Sequence, residues 1–343
     1  MTKLHQLPVF VIATLAIATS RPLEADEPAL QRFEQTQPHM GTQFNIALYA
    51  PDEATAQKAF EVAFARIQEL DDRMSDYDAT SELSRLSQSS PTSAPIAVSD
   101  DLWRVLVAAQ ELSQRSNGAF DVTVGPLTLL WRRTRRQREL PSQERLEQAR
   151  AAVGYQHLRL HPDRQAVELL RPRMRLDLGG IAKGYASDEA IKAMNKLGVT
   201  QALVNASGGL SIADPPPGQK GWKVGVAPLD PEAEPSRVLL LANCGVATSG
   251  DAWQYVEIEG TRYSHIIDPR TSLGLTTRSS VTVVAPTGML ADGLATAASI
   301  LGPEKGMDLI EATPGAAAIF VWLDNGEVKT AVSKRFLGLP TVE

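Results

Sequence analysis

Asp177, Lys183, Asp292 and Thr296 are the side chains whose types and spacing could hold an anion and a divalent cation. Two of them stand in the run Leu176-Asp177-Leu178-Gly179-Gly180-Ile181-Ala182-Lys183-Gly184-Tyr185-Ala186-Ser187-Asp188. An apolar alternation over 167–176, broken by Pro172, precedes this run, and a helical pattern follows from about Ala182, so the glycine pair reads as a strand-to-helix turn. Adjacent glycines leave backbone N–H and C=O groups uncovered, and a helix N-terminus offers free donors and partial positive charge to an anion. Lys183 in the first turn opposes the helix dipole, which a ligand explains better than stability does. The alternative is an ordinary turn carrying a surface lysine. Neither a Walker loop nor a Rossmann GxGxxG is present. In Ala291–Gly302 the carboxylate of Asp292 and the hydroxyl of Thr296 are four residues apart, on one helical face. They are hard oxygen ligands of the kind Mg²⁺ takes beside substrate phosphates. Otherwise Asp292 is a helix N-cap and Thr296 a core residue bonding back to its own helix.

The elements that must position these groups can be read in outline. The pattern predicts a strand over 43–49 and amphipathic helices over 53–74 and 100–116, the latter ending at Asn117-Gly118. Residues 131–150 read as charged helix broken at Pro141. Strands are expected over 158–160, 166–170, 202–204, 222–226, 238–241, 255–258 and 281–284. A terminal hairpin over 316–331 turns at Asp324-Asn325-Gly326. The segment 291–302 is expected to be a helix closed by Gly302, with Pro303 beyond it. Helices first and strands later suggest a mixed α/β, or α+β, architecture with a mixed β-sheet core flanked by helices, and a weak division near residue 150.

The 343 residues suffice for one large core. A net charge of −6 and a pI near 5.5 argue against a nucleic-acid partner. The densest basic run, Arg132-Arg133-Thr134-Arg135-Arg136, reads as a solvated helix face. Lys3 followed by the apolar run Leu7–Ala18 is too short for a comfortable bilayer span and fits an export signal over 1–20, with Ala16-Ile17-Ala18 a cleavage pattern. A polar linker over 21–35 then leads into a domain over 36–343. Cys244 is the single cysteine, so no internal disulfide forms, and no cysteine near the signal could carry a lipid anchor. A periplasmic protein is expected, tethered to the membrane only if the signal stays uncleaved.

In order along the chain stand Met40-Gly41-Thr42, Met74-Ser75-Asp76-Tyr77, Ser81–Leu86, Gly118–Leu127, Leu176–Asp188, Asn205–Gly209, Ala247–Asp251, His265-Ile266-Ile267-Asp268-Pro269-Arg270-Thr271 and Ala291–Thr296. In these segments the sequence resembles the ApbE family of FAD:protein FMN transferases, from about His39 to Gly302. The resemblance implies Mg²⁺-dependent transfer of the FMN half of FAD to a Ser/Thr hydroxyl of an acceptor protein, with AMP leaving. Acceptors would be electron-transfer subunits of the quinone-reductase type. It assigns metal binding to Asp292, Thr296 and the carbonyl of Gly180. FAD contacts fall to Met40, Tyr77, Ala119, Phe120, Asp121, Asp177, Lys183, Gly208, Gly209, His265 and Ile266. Tyr77 would stack on a ring and Asp121 would accept bonds from ribose or base. His265, with Lys183, is the candidate for orienting or deprotonating the attacking hydroxyl; a structural histidine at a strand end is the alternative reading. Hydrolysis of FAD to FMN and AMP, or flavin binding without catalysis, would use the same pocket. The sequence departs from the family at Leu210, where an acid is usual, and at Ser272, where glycine is usual and a small loop shift is expected.

Overall fold

The structure, a computed structural model, describes residues 29–230, 232–252 and 254–342. The expected export signal and residues 21–28 of the expected linker lie outside the described residues.

In chain order the elements begin with β1 (Gln31–His39), β2 (Thr42–Ala50), α1 (Glu53–Met74), α2 (Glu82–Gln88), β3 (Ile96–Ala97) and α3 (Asp100–Arg115). Next come α4 (Gly125–Gln137), α5 (Gln143–Arg150), β4 (Leu158–His161), β5 (Ala166–Leu169), α6 (Ala182–Asn195), β6 (Ala202–Ala206) and β7 (Gly209–Ile212). Then follow β8 (Trp222–Gly225), β9 (Val238–Leu241), β10 (Cys244–Gly250), β11 (Tyr255–Ile258), β12 (Thr261–Ser264), β13 (Ile267–Asp268) and β14 (Leu273–Gly274). The chain closes with β15 (Ser279–Ala285), α7 (Gly288–Glu311), β16 (Ala317–Asp324), β17 (Glu327–Val332) and α8 (Lys334–Leu337).

The main sheet runs β1-β2-β6-β7-β10-β15-β16-β17, each neighbour antiparallel. The mixed α/β class therefore takes the α+β form. Because β2 pairs with β6, strands from either side of residue 150 share one sheet. The stretch expected to be linker up to residue 35 is instead the start of β1, paired from Gln31 to His39 across the Met40-Gly41 turn. As an edge strand it alternates exposed and half-buried residues, so its apolar signal is faint.

The pleat sorts the sheet into two cores. Phe44, Ile46, Leu48, Val204, Val281 and Val283 face α1, α6 and α7. Helix α1, capped by Asp52, turns Ala56, Ala59, Phe60, Ala63, Phe64, Ile67 and Leu70 inward at three- and four-residue steps. The opposite face packs Ile212, Val246 and Ile319 against Trp222, Val224, Leu239 and Phe336. At the first core α6, α7 and β10 meet backbone to backbone. A Cβ on Gly184 would lie 2.2 Å from the Gly288 carbonyl oxygen, and one on Gly245 would lie 2.3 Å from the Gly288 nitrogen. Glycine is required at these crossings for closeness rather than for turning.

Candidate active site

The segment that opens α6 is built differently from the expected strand-to-helix turn. Strand β5 ends at Leu169, and Leu176–Leu178 runs without regular structure, held by Asp177 N–H donating to the Val122 carbonyl at 2.8 Å. Asp177 Oδ1 accepts from Gly179 N–H at 2.8 Å and so shapes the turn into the helix. Helix α7 starts at Gly288, capped by Thr287 rather than by Asp292, and its regular path breaks at Gly302, where φ is 81°. This leaves Asp292 and Thr296 one turn apart inside the helix.

These two elements bring the expected metal ligands together. A Cβ on Gly180 would come within 3.0 Å of Thr296 Oγ1 and 3.3 Å of the Phe120 ring, so a side chain there would press on both. Thr296 Oγ1 is 3.5 Å from Ser249 Oγ. Asp292 Oδ2 accepts from Gly184 N–H at 3.3 Å and lies 3.7 Å from Lys183 Nζ. Lys183 also donates to the Gly179 carbonyl. Among the described residues no donor reaches the Gly180 carbonyl. A carboxylate, a hydroxyl and a free carbonyl beside a bare glycine form a hard-oxygen set that fits Mg²⁺. Among the described residues no cluster of three His, Cys, Asp or Glu exists that would favour a softer transition metal.

A cleft of about 1060 Å³ opens beside this corner. Met40, Tyr77, Ala119, Phe120, Asp121, Asp177, Gly180, Lys183, Gly208, Gly209, His265, Ile266, Asp292 and Thr296 all line it. Met40 and Thr296, 256 positions apart in sequence, thus line one cleft. Ser207 and Gly208 form the two-residue turn between β6 and β7, with φ of 47° and 94°, which both central positions of such a hairpin demand. Met40 is placed by its N–H, which donates to Asp71 Oδ2 at 2.6 Å. Tyr77 is 72 % exposed, its ring carrying the Arg132 guanidinium 4.0 Å from the centroid. One face of that ring is therefore occupied, leaving a single face for stacking.

Asp121 is held by its own loop. Its carboxylate accepts from the Thr123 N–H and hydroxyl at 2.8 and 2.7 Å and from the Tyr155 N–H at 2.8 Å. Burial raises its pKa despite these bonds. These bonds make the Asp121 carboxylate a clamp between its own loop and the Tyr155 backbone, at the edge of the same cleft.

His265 is solvent-exposed where it lines the cleft, with protein packed behind its ring. That packing, followed by the charges of Arg135 and Lys183, pushes its imidazole down to about 4. Nδ1 lies 3.1 Å from the Gln254 carbonyl, which accepts only a protonated nitrogen, so the lone pair of the neutral ring sits on Nε2. Asp268 caps its own turn through Arg270 N–H at 2.9 Å and pairs with the Arg270 side chain. Ser272 takes φ of 68°, a conformation that glycine adopts without strain.

Several site residues escape a reading by motif. The basic run of α4 is not simply a solvated face: Thr128, Arg132 and Arg135, spaced by four and three, all line the cleft. Arg132 pairs with Asp76 at 2.6 Å and reaches Asp177 at 3.4 Å. Burial and the neighbouring Asp177 charge raise the pKa of Asp76, and Arg132 acts against both. Asp188 ties three site elements together. Its Oδ1 accepts from Ser211 Oγ at 2.6 Å and Gly288 N–H at 2.8 Å, and Oδ2 accepts from Met289 N–H at 2.9 Å. The carboxylate of α6 thereby anchors β7 and the N-terminus of α7, the helix that carries Asp292. Its spacing of five from Lys183 gives no sign of this.

The model of the ApbE family matches residues 40–320. The FAD:protein FMN transferase of Haemophilus influenzae is 31 % identical over 93 % of this chain and 95 % of that protein. Among solved structures, the flavin transferase ApbE from Vibrio cholerae superposes with a TM-score of 0.82 at 30 % identity, covering 91 % of this chain and all of that one. The apo flavinyl transferase ApbE of Pseudomonas stutzeri gives 0.79 at 32 % identity, covering 92 % and 98 %. Motif order, fold and the assembled cleft agree with these likenesses: the chain belongs to the ApbE family.

Proposed function

We propose that this transferase, which moves FMN from FAD to a protein, works with Mg²⁺ held by Asp292, Thr296 and the Gly180 carbonyl, and places FMN on a serine or threonine hydroxyl. The observation that carries the reading is that Gly180, Asp292 and Thr296 line one cleft together with Lys183, whose Nζ lies 3.7 Å from Asp292 Oδ2. When bound, the cation supplies charge neutralisation at the phosphate oxygens. Lys183 adds a second positive charge there, and the α6 N-terminus adds backbone donors. The acceptor oxygen forms a bond to the phosphorus on the FMN side, the bond from that phosphorus to the bridging oxygen breaks, and AMP departs with the electron pair. The hydroxyl proton passes to Nε2 of the neutral His265. Phosphoryl transfer of this kind has a loose transition state, so alignment in the cleft matters more than base strength. The acceptor is an electron-transfer subunit of the quinone-reductase type, and the apolar segment 7–18 supports action outside the cytoplasm.

The test is the intact mass of an acceptor domain after incubation with the protein, FAD and Mg²⁺. A gain of one FMN that disappears with EDTA is the expected result. Free FMN and AMP with an unchanged acceptor mass would instead identify a hydrolase, and bound but intact FAD a flavin-binding protein.

The His265 environment makes a separate prediction. Its imidazole proton resonance should titrate near 4 in the ligand-free protein and move upward when FAD brings phosphate charge into the cleft. An unfolded chain takes up this proton near 6.5 and the folded one near 4, so falling pH favours the unfolded chain across that window. The stability contributed by keeping His265 neutral is complete above 6.5 and lost on the way to 4. A free-protein titration at the ordinary value of 6.5 would show that enclosure is too weak to hold the ring neutral.

A further inference from the structure

Arg135 is a cleft-lining arginine with an unusual set of neighbours. Arg66 pairs with Asp101, Arg132 with Asp76, Arg262 with Asp251 and Arg270 with Asp268. Partly buried Arg135 has no carboxylate within ion-pair distance among the described residues, and its hydrogen bond there runs from Nη1 to Gln254 Oε1 at 3.4 Å. It lines the cleft three residues after Arg132, on the same face of α4. Its charge reaches the His265 imidazole, which Lys183 also reaches.

A guanidinium drawn partly out of water without a counter-charge costs free energy that a ligand can return. Its planar fork matches the oxygens of a phosphate and makes two parallel bonds to them. The substrate brings two phosphate groups into this cleft, and bond cleavage adds negative charge to the departing AMP. We propose that Arg135 binds a phosphate group of the flavin nucleotide on the His265 side of the cleft, supplementing Lys183. The sequence alone hides this residue in a basic run in which Arg133 and Arg136 are exposed and Arg132 is committed to Asp76.

The proposal rests on FAD as substrate, so wild-type protein must first bind FAD; failure there would count against the functional reading and not against Arg135. Binding of FAD, FMN, AMP and riboflavin is then measured by calorimetry for wild type, Arg135→Gln and Arg135→Lys. Arg135→Gln should weaken FAD at least tenfold and leave riboflavin, which lacks phosphate, unchanged. Arg135→Lys should recover part of the loss, keeping the charge without the fork. A parallel loss for FMN assigns the contact to the flavin-side phosphate, and a loss for AMP assigns it to the adenosine side; either supports the proposal. Unchanged FAD affinity overturns the proposal, as does an equal loss for riboflavin. So does a rise in KM for the acceptor alone, which would make Arg135 a contact for an acidic group of the partner protein. If Arg135→Gln fails to fold, Arg135→Lys with wild-type Tm and wild-type FAD affinity is the overturning result.

Discussion

Asp292→Ala is expected to slow FMN transfer on the order of a thousandfold, the scale set by losing a Lewis-acid site, with FAD affinity falling only severalfold. The carboxylate has three neighbours whose loss can be separated: the proposed cation, Lys183 Nζ at 3.7 Å and the Gly184 N–H at 3.3 Å. Alanine removes all three, and the unpaired buried N–H adds a stability cost of about 1–3 kcal/mol. Asp292→Asn keeps an oxygen for Gly184 and discards the charge. If the metal reading is right, the Asp292→Asn variant should melt near wild type and transfer as poorly as the alanine variant. The measurement is the time course of acceptor mass at saturating Mg²⁺, with FAD affinity taken separately. Transfer at the wild-type rate by either variant would remove the metal from the site.

A single methyl group at Gly184 should be almost as damaging. In an isolated helix alanine is preferred to glycine by about 1 kcal/mol, so propensity alone predicts a more stable protein. Tertiary contact predicts the opposite: the added Cβ falls 2.2 Å from the Gly288 carbonyl oxygen and 2.7 Å from the Met289 nitrogen, which are backbone atoms and cannot rotate away. Overpacking of this kind costs about 2–3 kcal/mol and is relieved only by moving α7 off α6. The consequence for chemistry is direct, because that movement separates Lys183 from Asp292 and Gly180 from Thr296. Gly184→Ala is therefore expected to melt several degrees lower and to transfer FMN poorly even when folded. A variant as stable and as active as wild type would mean that the α6–α7 crossing is looser than these contacts indicate.

Much of the site is legible in the sequence because its chemistry is local. Gly179-Gly180 followed by Lys183, and Asp292 followed by Thr296, are arrangements in which backbone exposure and helical periodicity make the grouping readable from spacing. Helix α1 is legible to the residue at both ends, since a long apolar stripe at three- and four-residue steps is a strong signal. Strand β1 is not, because an edge strand that buries little shows little alternation. The short strand β7 is hidden for a related reason: its place depends on the hairpin turn at Ser207-Gly208 and on pairing with β10, a partner more than thirty residues away.

By itself, then, the sequence determined the family, the ion-handling residue types and the long amphipathic helices, all of which depend on neighbours within a turn or a motif. Only the tertiary structure decided which groups share a charge environment. It assigned Asp121 to a loop clamp, Asp188 to the anchoring of α7, Arg132 to Asp76 and Asp177, and left Arg135 lining the cleft with no carboxylate in reach among the described residues. Those outcomes depend on distances between elements far apart in the chain. Electrostatic and close-packing energies change steeply over one or two ångströms, a scale on which sequence spacing carries no information.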